Sequence, residues 1–205
     1  MIKLSIRNNF PEVSRRLEKL PDEIANKAMA RALNKTVEQG RAEMARAISA
    51  EYRVRVGDVK RRLAITRATV KGQLRLSASL LATQENGLFG SDESRGMNLI
   101  AFVVGGQPKR TAKGKMRQLN FQIKRGGGRK QIPGAFIATN KRTGGTAVFV
   151  REGKDRMPIA TKTTIDVRQM FNTKRINGAI RSVMLQRFAA NFDREVGAIL
   201  KGFVR

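Results

Sequence analysis

Apolar residues recur along this chain with two distinct periods. Ile2, Leu4 and Ile6 alternate with Lys3, Ser5 and Arg7, the period-two pattern of a half-buried strand. Pro11 opens a short helical segment reaching about Leu20, with Val13, Leu17 and Leu20 on one face. Pro21-Asp22-Glu23 is a helix start, with proline in the first turn and carboxylates beside the positive end of the dipole. From there Ile24, Ala28, Leu33, Val37, Met44 and Ile48 follow at steps of mostly three and four, which predicts one long amphipathic helix over about 21–52. Gly40 interrupts it and marks either a kink or a place of close approach. The polar positions Lys27, Arg31, Lys35, Glu38, Arg41, Glu43, Arg46 and Glu51 read as a solvated face. On it, Glu38–Arg41 and Glu43–Arg46 are spaced for weak pairs.

Val56–Leu63 predicts a short helix with Asp58 near its start and Val59 and Leu63 facing inward. A β-rich middle follows. Leu74, Leu76, Ala78 and Leu80 alternate with polar residues, as do Leu119, Phe121 and Ile123. Residues 99–104 (LIAFVV) form a continuous apolar run, which predicts a central strand covered on both faces. Phe136–Ala138 and Ala147–Val150 supply two more strands, and Ile165 and Val167 have strand spacing. A second long helix is expected from about Lys174 to Phe203, its stripe marked by Ile176, Ile180, Val183, Phe188, Phe192, Val196, Ile199, Leu200 and Phe203. Gly178, Gly197 and Gly202 offer it tight packing against the first helix. Residues 83–97 and 105–116 are glycine-rich polar loops of a length that is usually functional or disordered. The pattern predicts a single α+β domain over 1–205. In it a small antiparallel or mixed sheet packs with two long helices, about 21–52 and 174–203, and carries extended basic loops.

Charge changes this picture most. The chain of 205 residues has 42 Lys plus Arg against 16 Asp plus Glu, a formal net charge of +26. Such an excess opposes compaction and draws the protein towards polyanions. Asp and Glu are absent between Glu93 and Glu152, a span that carries Lys109, Arg110, Lys113, Lys115, Arg117, Lys124, Arg125, Arg129, Lys130, Lys141, Arg142 and Arg151. Loops of this kind can follow a phosphate backbone and release counterions. Within the span, Gly126–Ile159 sets two apolar strands between basic glycine turns, the layout of a docking element. Phe102, Phe121, Phe136 and Phe149 lie among apolar residues and are expected in the core, so no base-stacking platform is expected.

Other chemistry is thinly supported. There is no Cys and no His, so thiolate sites and the commonest general base and metal ligand are missing. Neither Gly114-Lys115-Met116 nor Gly153-Lys154-Asp155 completes a P-loop, and Ser91-Asp92-Glu93-Ser94 is the only tight acidic group outside the helices. No enzyme activity and no cofactor are expected. The N-terminus lacks a signal-peptide apolar region, no run approaches the ~20 apolar residues of a membrane span, and the helices have mixed charge and no Trp. A soluble cytoplasmic protein without membrane contact is the expectation.

Several segments together resemble the minor tail protein Z family of tailed bacteriophages and prophages. They are the opening MIKLSI strand, the Leu-Pro entry into a helix bearing Ala30-Arg31-Ala32-Leu33-Asn34-Lys35-Thr36, and the segment YRVRVGDVKRRL over Tyr52–Leu63. Ile132-Pro133-Gly134-Ala135-Phe136-Ile137-Ala138-Thr139 follows, then Val148-Phe149-Val150-Arg151 and Arg156-Met157-Pro158-Ile159. None is diagnostic alone; their order and spacing carry the likeness. The resemblance implies a structural virion protein, assembled in the host cytoplasm, that completes the head-proximal end of a long tail. Related completion and terminator proteins form rings, often sixfold, around the genome channel. The implied partners are further copies of the chain, the tail terminator, the tail tube, head-completion or connector proteins, and genome DNA in the lumen. The candidate contacts are Lys109, Arg110, Lys113, Lys115, Arg117, Arg125, Arg129, Lys130, Lys141 and Arg142, facing either DNA or acidic partner proteins. A sequence-independent nucleic-acid-binding module is the alternative.

Overall fold

A computed structural model describes residues 3–5, 21–70, 75–82, 96–105, 118–139 and 144–202. The expected helix over Pro11–Leu20, Leu74, most of the 83–97 loop, nearly all of the 105–116 loop and Phe203 lie outside the described residues. In chain order the elements are β1 (Lys3–Ser5), α1 (Asp22–Glu51), α2 (Val56–Arg61), β2 (Leu63–Thr66), β3 (Ser79–Ala82), β4 (Met97–Asn98), a 3-10 turn (Leu99–Phe102) and β5 (Val103–Val104). Then come β6 (Asn120–Phe121), β7 (Lys130–Gln131), β8 (Phe136–Thr139), β9 (Thr146–Arg151), β10 (Ile159–Thr161), β11 (Thr163–Thr164), α3 (Val167–Phe171) and α4 (Lys174–Leu200). The fold class is α+β, and the strand pairings among the described residues are antiparallel. The chain divides into two compact units, the first of residues 1–47, 60–83 and 171–205, the second of residues 48–59 and 84–170.

In the first unit α1 and α4 run antiparallel, as their contacts show: residue 36 meets 191, and residue 40 meets 184. The predicted stripe of α1 is buried at Ala28, Leu33, Val37, Met44 and Ile48, and small residues widen it at Ala25, Ala30, Ala32 and Ala45. From α4 come Ile176, Ile180, Met184, Phe188 and Phe192, with the Phe188 and Phe192 rings 6.3 Å apart. Each such large side chain taken fully out of water contributes roughly 1.5–3 kcal/mol. Beyond Phe192 the α4 stripe fades, with Val196 and Ile199 half-buried and Leu200 exposed. Gly40 is the close approach, because a Cβ there would stand 2.6 Å from Met184 Sδ. Gly178, Gly197 and Gly202 do not provide the expected tight packing, since a Cβ at each would meet nothing within 4 Å.

The polar face of α1 is less solvated than its pattern suggests. Glu43 pairs with Arg46 at 2.9 Å as the spacing predicts, and also with Arg187 of α4 at 2.9 Å. Lys35 reaches Glu195 at 3.3 Å. The expected Glu38–Arg41 pair is replaced, because better partners lie off the helix: Glu38 pairs with Arg67, and Arg41 donates to the Lys60 carbonyl at 2.7 Å. Beside α1 the sheet has the order β1-β3-β2, with Leu80 of the central strand opposite Leu4 and Ile65. The Asn34 amide brackets the Ala68 peptide, donating to its carbonyl at 3.0 Å and accepting from its N–H at 2.8 Å.

In the second unit the strands form small sheets ordered β10-β9-β8, β5-β6-β7 and β11-β4. Phe102, Phe121 and Phe149 are buried as expected. Phe136 is half-buried, 6.0 Å from the Phe149 ring, with the Arg151 guanidinium 5.1 Å from its own centroid.

Three strand expectations are corrected. Residues 99–104 are mostly the 3-10 turn, because the Asn98 side chain accepts from the Ile100 N–H at 3.1 Å and so offers the backbone a partner other than a ladder. Leu99 and Phe102, three apart, then take the buried side. Ile165 and Val167 do not form a strand: Asp166 and Gln169 exchange side-chain-to-backbone bonds of 2.9 and 3.1 Å, a capping box that starts α3. In the third, Leu76 is exposed ahead of β3, although Ala78 and Leu80 are buried. Val59 and Leu63 are both buried as expected, but Leu63 opens β2 and does not extend α2.

Candidate polyanion or partner-docking surface

Of the ten candidate contacts, Arg125, Arg129 and Lys130 are described; Lys109, Arg110, Lys113, Lys115, Arg117, Lys141 and Arg142 lie outside the described residues. The three described ones belong to a turn in the second unit that docks on the chain leaving α1. Tyr52 bridges Lys124, the Arg53 N–H donates to the Ile123 carbonyl at 2.9 Å, and the Arg125 N–H donates to the Glu51 carbonyl at 2.9 Å. The Arg125 Nε also donates to the Ser49 carbonyl at 2.8 Å. The last carbonyls of a helix have no partner within the helix. Arg125 supplies two of them, so part of this residue is committed to ending α1.

The turn is held from inside as well. Gln122 Nε2 donates to the Arg125 carbonyl at 3.0 Å and to the Gly127 carbonyl at 2.9 Å, and the Gly127 N–H donates to the Lys124 carbonyl at 3.1 Å. Lys124 pairs with Glu51 at 3.3 Å while its Nζ sits 5.6 Å from the Tyr52 ring centroid. Arg129 and Lys130 follow on the exposed side, Lys130 in edge strand β7, and no ion pair among the described residues engages either. Residues 118–139 contain no Asp or Glu, so nothing in this segment offsets their charge.

Further basic residues stand beside these in the structure. Tyr52 and Val54 are buried, which leaves Arg53 half-buried and Arg55 exposed on the other side of the same extended stretch. The signal was present as strict alternation in Tyr52-Arg53-Val54-Arg55. Separately, the turn between β9 and β10 is exposed throughout Arg151–Pro158; it is closed by Arg151 Nη1 donating to the Arg156 carbonyl at 3.0 Å and displays Lys154, Arg156 and Met157.

Both turns expose basic side chains. Among the described residues there is no group of three or more potential metal-ligating His, Cys, Asp or Glu. No described helix is long and apolar enough to cross a membrane. No curated protein and no solved structure matches the chain. Residues 11–205 match the family model described as Prophage minor tail protein Z (GPZ), and the chain belongs to that family, a structural component of the phage tail.

Proposed function

We propose that this minor tail protein completes the head-proximal end of the tail as a homo-oligomeric ring around the DNA channel. In this role it meets the tail terminator, the tail tube and the head-completion or connector proteins. The observation that supports the reading is the segregation of charge. In the first unit Glu38 pairs with Arg67, Glu43 with Arg187 and Glu195 with Lys35, whereas the basic turn of the second unit, its Lys124 paired with Glu51, presents Arg129 and Lys130 with no acid in its own segment. A surface of that sign suits a lumen through which a polyanion passes. The structural family also points to a protein that is not an enzyme.

The second reading, a sequence-independent nucleic-acid-binding module, draws on the same turn. Oligomeric state without DNA separates the two. A defined ring, or co-assembly with tail proteins, supports tail completion. A monomer that binds DNA with steep salt dependence and has no affinity for tail components contradicts it.

A further inference from the structure

The turn over 124–130 contains three consecutive glycines, and the fold accounts for only the middle one. A Cβ on Gly127 would lie 3.3 Å from Lys124 Cβ and 3.4 Å from the Lys124 carbonyl, so packing within the turn favours its absence. A Cβ on Gly126 or Gly128 would meet nothing within 4 Å, and neither residue has a positive φ. Glycine loses more conformational freedom on folding than any other residue, and bare backbone is also what a closely approaching ligand needs. Gly126 and Gly128 therefore leave bare, exposed backbone on the turn, open to close approach from outside the chain.

The surroundings say what approaches. The carbonyls of Lys124, Arg125 and Gly127 already accept bonds within the turn. Arg129 and Lys130 follow the glycines directly and are exposed. No large apolar side chain is exposed anywhere in 118–139. A protein interface would be expected to place apolar or aromatic residues at its centre. A phosphodiester needs only cations and backbone N–H groups.

We propose that this turn grips the phosphate backbone of duplex DNA, with a phosphate against the main chain at Gly126 and Gly128 and with Arg129 and Lys130 beside it. The site rests on the channel reading only for which DNA it meets, the genome in transit. Because the contacts are to phosphate and main chain, the grip is independent of base sequence, as a channel wall requires.

The test uses the full chain and a short fluorescein-labelled duplex of mixed sequence, with binding followed by anisotropy between about 50 and 200 mM salt. Arg129→Ala with Lys130→Ala is expected to reduce the magnitude of the log–log salt slope by about 2, one ion release per lost phosphate contact. Gly126→Ala with Gly128→Ala removes no charge; it is expected to weaken binding by about tenfold with the slope unchanged. Thermal unfolding of both variants is expected to match the parent. Lys154→Ala with Arg156→Ala, on the β9–β10 turn, is the control and is expected to leave the slope unchanged.

An unchanged slope in the Arg129/Lys130 variant, or an equal loss in the control, overturns the site. Parent-like affinity in the glycine variant overturns the main-chain contact. Parent-like DNA binding with lost co-assembly with tail proteins reassigns the turn to protein docking and also overturns the proposal. Ring formation, read by size on the same preparations, is a separate outcome. A ring without these DNA effects contradicts the site alone, and the DNA effects without a ring contradict the channel reading alone.

Discussion

Gly40 of α1 lies directly against Met184 of α4: a Cβ on residue 40 would be 2.6 Å from the Met184 sulfur and 2.8 Å from its Cγ. Met184 is fully buried, so room for a Cβ at residue 40 has to come from moving the Met184 side chain within the core. Alanine at 40 gains up to ~1 kcal/mol of helix propensity over glycine, whereas overpacking a well-filled core costs about 1–3 kcal/mol. Gly40→Ala is therefore expected to destabilise by about 1 kcal/mol, and Gly40→Val by more. Adding Met184→Ala to Gly40→Ala should recover part of the loss, with a coupling of about 1 kcal/mol in a denaturant double-mutant cycle. Additive losses would mean that the two residues do not share this space.

One turn along the same helix pair, the buried Asn191 amide donates to Thr36 Oγ1 at 2.9 Å and to Gln39 Oε1 at 3.1 Å. A polar contact of this kind favours one alignment of two helices over its neighbours. Asn191→Ala leaves the buried Thr36 hydroxyl without this donor and should cost about 1–3 kcal/mol in urea unfolding. Asn191→Leu with Thr36→Val should cost less than the sum of the single changes. A single change with no measurable effect would rule out this contact as a determinant of alignment.

Arg125 and Arg129 are four residues apart in one basic turn, yet their expected effects differ. Arg125→Ala removes the Nε donor to the Ser49 carbonyl at the end of α1 and should destabilise by about 1 kcal/mol. Arg129→Ala touches no such contact and should change stability by less than about 0.5 kcal/mol. Thermal unfolding of the two variants side by side checks this, and equal effects would contradict the division between fold and surface.

The second part of the candidate surface is Lys109, Arg110, Lys113 and Lys115, in the acid-free span. Changing all four to alanine is expected to leave particle assembly intact and to reduce genome delivery. Counting assembled particles and infectious units separately makes the check. Full delivery by normally assembled particles would exclude a DNA-facing role for these residues.

How far the fold was legible depended on the range of the interactions involved. The two long helices were readable because their stripes are periodic over many turns, and Val37 or Phe188 needs no distant partner to reveal its face. Gly40 could be marked as either kink or contact, but only Met184 decides between them, and Met184 is far away in sequence. The strand expected over 99–104 failed at Asn98, whose side chain captures a backbone N–H that a purely apolar pattern assigns to a ladder. The helix start at Asp166 had a local signal, Asp-x-x-Gln, that the strand spacing of Ile165 and Val167 obscured. At the candidate surface the charge was legible and the geometry was not. Nothing local to Arg125 shows that it ends α1, because the carbonyls it satisfies belong to Ser49 and Glu51.

In the proposed function, copies of this chain close around the DNA path at the head-proximal end of the tail. A density reconstruction of the head–tail junction from intact virions tests it most directly. The expected result is a ring of this chain between the tail tube and the head-completion proteins, with the turn at Arg129 and Lys130 lining the lumen. Density for the chain on the outside of the tail, or at its distal end, would contradict the account.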